Sequence, residues 1–284
     1  MRVVRRSTIA ALLLPLAMAS APVAAAQSAD TAAVDTRPLF TYRDAILAGA
    51  FVLGARLVHP LDEHYRRRLQ DSSTQANRKL QTLATFVRRT AAPGSYIIGV
   101  TMYGAGRLAK NEKLASLGLH GTEALVAGQA FASVIKIGVG RQRPYVEPAN
   151  ASSYQFLRGL KGSDYQSFPS GHAVAAFAAA AAVTSETSRN APSTKWIVAP
   201  ILYGGAALVG VSRMFNNAHW ASDVIVGAGI GTFAGLKIVR FNDTHTGNRV
   251  DRFFLAGSLI PAPGGGHTVQ LSLLPASMLG LRTR

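Results

Sequence analysis

Between residues 45 and 236 the sequence falls into six stretches without Asp, Glu, Lys or Arg: 45–55, 90–106, 124–135, 165–185, 196–212 and 224–236. They are built mainly from Ala, Gly, Leu, Val and Ile. None shows the apolar–polar alternation of a half-buried strand. Apolar segments of this kind must bury against one another as helices, so the chain is restricted to an all-α helical bundle. With 48% hydrophobic and only 15% charged residues, a wholly disordered chain is excluded. Crossing a bilayer takes about 20 mostly apolar residues. Most of the stretches fall short of that, and the longest contains Pro169, Ser170, Gly171 and His172. The count therefore favours an exported helical domain, soluble or resting on a membrane, over a short-helix membrane enzyme whose functional charges face inward.

Helix signals flank the stretches. Thr41 caps a helix to about Val58, stopped by Pro60, and a short basic helix covers Leu61 to Gln70. An amphipathic helix spans 75–91 and ends near Pro93. Two more run over Ser95–Lys110 and Glu112–Gly138. Residues 140–168 hold prolines, glycines and polar residues and read as a long loop, the kind that often carries function. Further helices follow at about 171–187, 195–212 and 219–239. In the tail, Pro261, Pro263 and Gly264–Gly266 separate Leu255–Ile260 from an alternating His267–Leu273, the pattern of a short C-terminal β-hairpin.

The first 26 residues read as an address. Arg2, Arg5 and Arg6 precede an uncharged Leu- and Ala-rich run, and Ala24 and Ala26 stand in a cleavage-site arrangement. The organisation expected is a signal peptide (1–26), a leader with helices (27–92), a helical core (93–244) and a tail (245–284). Export to the periplasm or cell envelope follows. The absence of cysteine excludes disulfides, thiolate metal sites and cysteine nucleophiles.

The formal charge is +16, from 30 Lys and Arg against 14 Asp and Glu. Such an excess suits anionic partners. Basic residues are not interleaved with aromatics, which argues against nucleic acid. Arg66–Arg68 with Arg78, Lys79, Arg88 and Arg89 form a basic set that either faces solvent or meets an anionic membrane surface.

Three blocks place polar chemistry among apolar residues. In the first, Lys136 ends an apolar helix and Arg143 follows seven residues later, before Pro144. A cation there needs an anion, and Glu123 and Glu147 are the acids close in sequence. Glu123 itself is read as a partner for a buried cation. The second block is Phe168-Pro169-Ser170-Gly171-His172. Ser170 caps a helix whose free N–H groups make an anion site, and His172 faces the same anion. The third is Ser212-Arg213 followed by His219-Trp220-Ala221-Ser222-Asp223. His219 and Asp223 share a helix face, so the carboxylate can accept the Nδ1–H and leave Nε2 as an oriented lone pair. Trp220 reads as packing. Gly227, Gly231 and Gly235 continue the stripe and admit a close neighbouring helix. Three cations, a helix N-terminus and two histidines match phosphoryl transfer without a metal. No carboxylate cluster suits two metal ions.

Taken together, Lys136-x6-Arg143-Pro144, Pro169-Ser170-Gly171-His172 and Ser212-Arg213-x5-His219-x3-Asp223 resemble the tripartite signature of the type-2 phosphatidic acid phosphatase/vanadium haloperoxidase superfamily. The resemblance implies the family's helical bundle and no cofactor. It implies His219 as a nucleophile forming a phosphohistidine, Asp223 as its orienting group and His172 as the general acid. Lys136, Arg143, Ser170, Gly171 and Arg213 would form the phosphate cradle. The substrate expected is a phosphate monoester or a lipid phosphate or pyrophosphate. Two alternatives stand beside it: a vanadium-dependent haloperoxidase, with vanadate in the same cradle, and a non-enzymatic basic envelope protein.

Overall fold

The structure, a computed structural model, describes residues 38–245, 248–254, 258–262 and 266–270. The signal-peptide reading of 1–26 and the ends of the tail segments lie outside the described residues. The helices are α1 (Tyr42–Val58), α2 (Asp62–Leu69), the single turn α3 (Ser72–Gln75), α4 (Arg78–Arg89), α5 (Ser95–Leu108), α6 (Glu112–Val139), α7 (Gly171–Asn190), α8 (Lys195–Phe215), α9 (Ala221–Thr244) and α10 (Arg249–Phe254). Two antiparallel strands follow, β1 (Ser258–Ala262) and β2 (Gly266–Gln270), with Ile260 opposite Thr268.

Local chemistry sets the boundaries. At the start of α1 the Asp44 carboxylate accepts from the Thr41 N–H at 2.6 Å. The Asn77 side chain accepts from Lys79 and Leu80 N–H at 3.0 and 3.3 Å and opens α4. Asn111 does the same for α6 through Leu114 N–H. Gly140, at φ +56°, ends α6 in the left-handed conformation that favours glycine.

The centre of the bundle is α7, packed between α6, α8 and α9. It presents small residues on every side: Ala173, Ala175, Ala178, Ala181 and Ala182 are fully buried. Ala124, Leu125 and Val239 from α6 and α9 close the core around them. The glycine stripe of α9 faces α7. A methyl added to Gly231 would stand 2.3 Å from the Val174 carbonyl oxygen, and one on Gly235 2.6 Å from that of Ala178. Backbone thus lies against backbone, which fixes the register of the two helices that carry much of the site.

Four helical segments are long and apolar enough to cross a membrane: 42–69, 112–139, 195–215 and 221–244. Large apolar side chains stand exposed along them, among them Val52, Leu57, Phe131, Val134, Trp196 and Ile201. A soluble monomer rarely leaves so continuous an apolar belt uncovered. Of the expected alternatives, this favours association with a membrane over a soluble domain. Counting charge-free runs undercounted helix length, because α6 and α9 continue through charges that are satisfied by protein. Lys136 is held by backbone carbonyls, and Lys237 lies 2.6 Å from Asp44.

Candidate functional site

The residues singled out in the three blocks converge on one end of the bundle. Lys136 is in the last turn of α6 and Arg143 in the loop that follows. Ser170, Gly171 and His172 open α7. Arg213 is in the last turn of α8, His219 in the short connection to α9, and Asp223 in the first turn of α9. Ser170, fully buried, ties two of these helix starts together: its N–H donates to the Asp223 carbonyl at 3.0 Å. Its hydroxyl reaches Ala173 N–H at 3.5 Å as the cap of α7. A side chain on Gly171 would stand 3.1 Å from Gln129 Oε1, so the bare backbone leaves room for that amide, which donates to the Gly171 carbonyl at 2.5 Å.

His219 is buried at 4% exposure and doubly constrained. Its Nδ1–H donates to the Ser167 carbonyl at 2.7 Å. That fixes the tautomer and leaves Nε2 with its lone pair, facing Arg143 Nη1 at 3.3 Å. Asp223 Oδ2 stands 3.7 Å from Nδ1, outside hydrogen-bond range. The expected Nδ1–H acceptor was Asp223; the backbone carbonyl takes that bond, because Asp223 is already committed. Its Oδ2 accepts from Ser167 Oγ at 2.5 Å and Trp220 N–H at 2.9 Å, and its Oδ1 is paired with Arg141. His219 also precedes α9 rather than lying on it.

Burial, with the cations Lys136 and Arg143 beside it, pushes the His219 imidazole down to about 3, so it is neutral at ordinary pH. His172 makes no ring hydrogen bond among the described residues. Burial and then the nearby Arg213 and Arg88 hold it at about 4.

The cations divide into two classes. Arg141 is fully buried and internally matched: it pairs with Asp223, reaches Asp62 Oδ2 at 2.7 Å and Ser222 Oγ at 2.8 Å, and donates from Nε to the Ala151 carbonyl at 3.0 Å. Asp62, at the start of α2, also accepts from Ser222 N–H at 2.9 Å. Lys136, Arg143 and Arg213 have no carboxylate within ion-pair reach among the described residues. Lys136 Nζ donates to the carbonyls of Gln166 at 3.0 Å and Pro169. Neither Glu123 nor Glu147 is its partner. Glu123 accepts from the Asn242 amide at 2.6 Å, which corrects its reading as a cation's partner. Arg143 donates to the Ser163 and Ala218 carbonyls at 2.7 and 2.9 Å. Arg213 leaves Nε and Nη1 buried without any partner.

Arg141, Asp62, Ser167 and Ser222 were not singled out by the sequence. Arg141 sits two residues before Arg143 in Gly-Arg-Gln-Arg-Pro, and that doubling was the available signal. Trp220 packs as expected, fully buried with Nε1–H donating to the Gln142 carbonyl at 3.0 Å. Among the described residues no group of three or more His, Asp or Glu side chains is arranged to hold a metal ion. What the arrangement can do is hold a tetrahedral oxyanion among Lys136, Arg143, Arg213 and the start of α7, beside a nitrogen lone pair.

A family profile described as the PAP2 superfamily matches residues 119–246. Over 87 residues the chain is 40% identical to the lipid A 1-phosphatase of Porphyromonas gingivalis, which covers 30% of this chain and 19% of that protein. Over 127 residues it is 32% identical to the undecaprenyl-diphosphatase of Sulfolobus acidocaldarius, covering 43% of this chain and 58% of the relative. The chain thus spans less than two thirds of either curated relative. The crystal structure of a transmembrane PAP2 type phosphatidylglycerolphosphate phosphatase from Bacillus subtilis superposes with a TM-score of 0.55 at 21% identity, over 74% of this chain and all of that one. The bundle therefore has the fold of that enzyme.

Proposed function

The chain carries a PAP2 superfamily domain at residues 119–246, and we propose on that footing that it is a membrane-bound, metal-independent phosphatase acting on lipid phosphates through a phosphohistidine. The observation that carries the reading is the deprotonated Nε2 of His219, which accepts from Arg143 Nη1 at 3.3 Å while the Nδ1–H bond to the Ser167 carbonyl holds the ring. The site lies at the ends of three of the four candidate spans, which in a bilayer would set it near the lipid phosphate groups.

In the first step the substrate's phosphoryl oxygens are neutralised by Lys136, Arg143 and Arg213 and accept from the free N–H groups at the start of α7. His219 Nε2 attacks phosphorus in line. The bond to the leaving alkoxide breaks with its electron pair on oxygen, and protonated His172 supplies the proton. An entering phosphate dianion offsets the cations around His172 and so favours its protonated form. The positive charge that develops on His219 is met by the Ser167 carbonyl and the Asp223 carboxylate. In the second step neutral His172 takes a proton from water, the oxygen attacks phosphorus, and the P–N electrons return to Nε2. The products are the alcohol and inorganic phosphate.

The activities named for the similar proteins are all phosphatases, which favours this chemistry over vanadate-dependent halide oxidation in the same cradle and over a non-enzymatic role. The organisation proposed keeps residues 93–244 as the catalytic core, with export directed by residues 1–26. The test is hydrolysis of phosphatidate by the purified chain in detergent. His219→Ala should lower kcat by roughly 10³-fold or more. Undiminished turnover in that variant removes His219 from the chemistry.

A further inference from the structure

The loop between Pro144 and Phe168 holds one residue in a costly conformation. Leu157 stands at φ +58°, in the left-handed region that a branched side chain rarely adopts. Such a conformation persists only where the surroundings impose it. Here they do. The Leu157 N–H donates to the Gly138 carbonyl at 2.9 Å, and the Arg158 N–H to the Gln155 carbonyl at 3.1 Å. Arg158 Nε reaches the Gly140 carbonyl at 3.2 Å, and Nη2 the Ser153 carbonyl at 2.8 Å. Gly159 lies so close to the last turn of α6 that a methyl on it would stand 2.3 Å from the Lys136 carbonyl oxygen. The segment is thus pinned to the end of α6.

What this pinning holds out is apolar. Phe156 is 80% exposed, Leu160 68% and Leu157 44%, while Gly159 between them is buried. A single exposed leucine needs no explanation, but three such side chains in one short turn, kept outward by a strained backbone, form a patch that water disfavours. The patch also continues the apolar belt. Phe131, Val134 and Gly138 follow one another on one face of α6, the first two exposed, and Gly138 is the residue that accepts from Leu157. The α6 span ends at residue 139, so in a bilayer the patch stands just past it, where hydrocarbon gives way to headgroups. Lys161 beside it is exposed, able to lay its stem along apolar surface and present its ammonium to phosphate.

We infer that Phe156, Leu157 and Leu160 form a prong that inserts into the lipid leaflet beside the phosphate site, with Lys161 at the headgroups. This rests on the membrane-bound reading proposed above and adds to it a surface by which the loop itself grips the bilayer. The prong is tied to the site. Gln166 Nε2 donates to the Gly159 carbonyl at 2.8 Å, and the Gln166 carbonyl accepts from Lys136 Nζ at 3.0 Å. The Ser163 carbonyl, just beyond Lys161, accepts from Arg143 Nε at 2.7 Å. A leaflet that holds the prong therefore holds these two cations at one depth relative to the lipid phosphates. The advantage exists only for substrates in a bilayer; a dissolved ester gains nothing from it.

The chain has no cysteine, so Phe156→Cys and Leu160→Cys each accept a single nitroxide label. In vesicles of phosphatidylcholine and phosphatidylglycerol, relaxation of both labels should be dominated by oxygen, which partitions into hydrocarbon, rather than by a water-soluble nickel chelate. Dominance of the chelate at either position, or protection from both reagents as beneath a protein partner, overturns the prong. A second arm compares the wild type with the double variant Phe156→Ser, Leu160→Ser. Its kcat/KM on phosphatidate in vesicles should fall at least about tenfold, the weight of one large apolar side chain removed from lipid. Its kcat/KM on dissolved phenyl phosphate should stay unchanged. Equal losses on both substrates, or no loss on either, overturn the prong and leave the phosphatase reading intact. A wild-type chain that cleaves neither substrate overturns the phosphatase reading, and the labels then decide the prong by themselves.

Discussion

Two buried polar clusters lie at opposite ends of α6, and they are built on opposite principles. His120 is 16 residues before Lys136, about 24 Å along the helix. It is held between Glu186 Oε1 at 3.3 Å and Asp251 Oδ1 at 3.2 Å. Arg189 pairs with Glu186 at 2.6 Å and with Asp243, and Asn248 donates to Asp251 Oδ2 at 2.9 Å. Every charge named there has an internal partner. At the other end, only Arg141 is matched, by Asp62 and Asp223. Among the described residues Lys136 has carbonyls, Arg143 has carbonyls and His219 Nε2, and Arg213 leaves Nε and Nη1 without a partner. A chain does not bury cations without counter-ions for stability, since removing them from water costs more than carbonyls return. The saturated cluster joins α6, α7, α9 and α10. The unsaturated one is where the proposed function puts the substrate's phosphate.

Substitutions at the two ends should separate stability from activity. Arg213→Gln should lower kcat/KM on phosphatidate by about 10²-fold or more, the scale for one electrostatic donor to a transition state. It should leave the melting temperature unchanged or raised, because the buried N–H groups lose nothing. Glu186→Gln should do the reverse. Breaking the His120 and Arg189 pairs should cost about 3 kcal/mol in denaturant unfolding, with kcat unchanged in the folded fraction. If Arg213→Gln destabilises as much as Glu186→Gln, Arg213 is a structural charge and the contrast fails.

An anion should stabilise only the unsaturated end. Inorganic phosphate at a hundredfold over its Kd is expected to add about 2.7 kcal/mol to thermal unfolding. That gain should vanish in Arg213→Gln and persist in a chain altered at Glu186. Stabilisation that survives loss of Arg213 would place the anion elsewhere.

Acid should probe His219 more gently. Its folded value lies below its unfolded one, so between about pH 6.5 and 3 the unfolded chain binds a proton that the folded chain does not. Stability present above that window is lost as pH falls through it. By pH 5 the loss is on the order of 2 kcal/mol. A His219→Asn variant lacks this term, so its unfolding free energy should fall less between pH 7 and 5. Parallel pH curves for the two chains would mean that His219 is not held neutral.

The helices were legible because their ends carry local chemistry: Thr41, Asn77, Asn111, Ser170 and Gly140 act within a few residues of where they stand. The membrane-crossing lengths were not, because Lys136 and Lys237 interrupt the apolar runs and their satisfaction depends on Gln166, Pro169 and Asp44, which are distant in sequence. The same split holds in the site. The residues of the three blocks announce themselves by type and spacing. Asp62 acts on Ser222 from 160 positions away and on Arg141 from 79. The acceptor of the His219 Nδ1–H is a backbone carbonyl, which any residue could supply and no side chain marks. The glycine stripe was readable in pattern, and the coordinates add the reason it cannot be relaxed: carbonyl oxygens of α7 stand where the methyl groups would go.

The most direct measurement is a millisecond quench of the purified chain with labelled lipid phosphate into alkaline detergent, followed by mapping of any phosphorylated peptide. Phosphoryl transfer through the unsaturated end predicts one phosphoryl group on His219, formed before alcohol release is complete and absent from His219→Ala. Full turnover with no phosphoprotein at any time, or phosphate found on another residue, contradicts it.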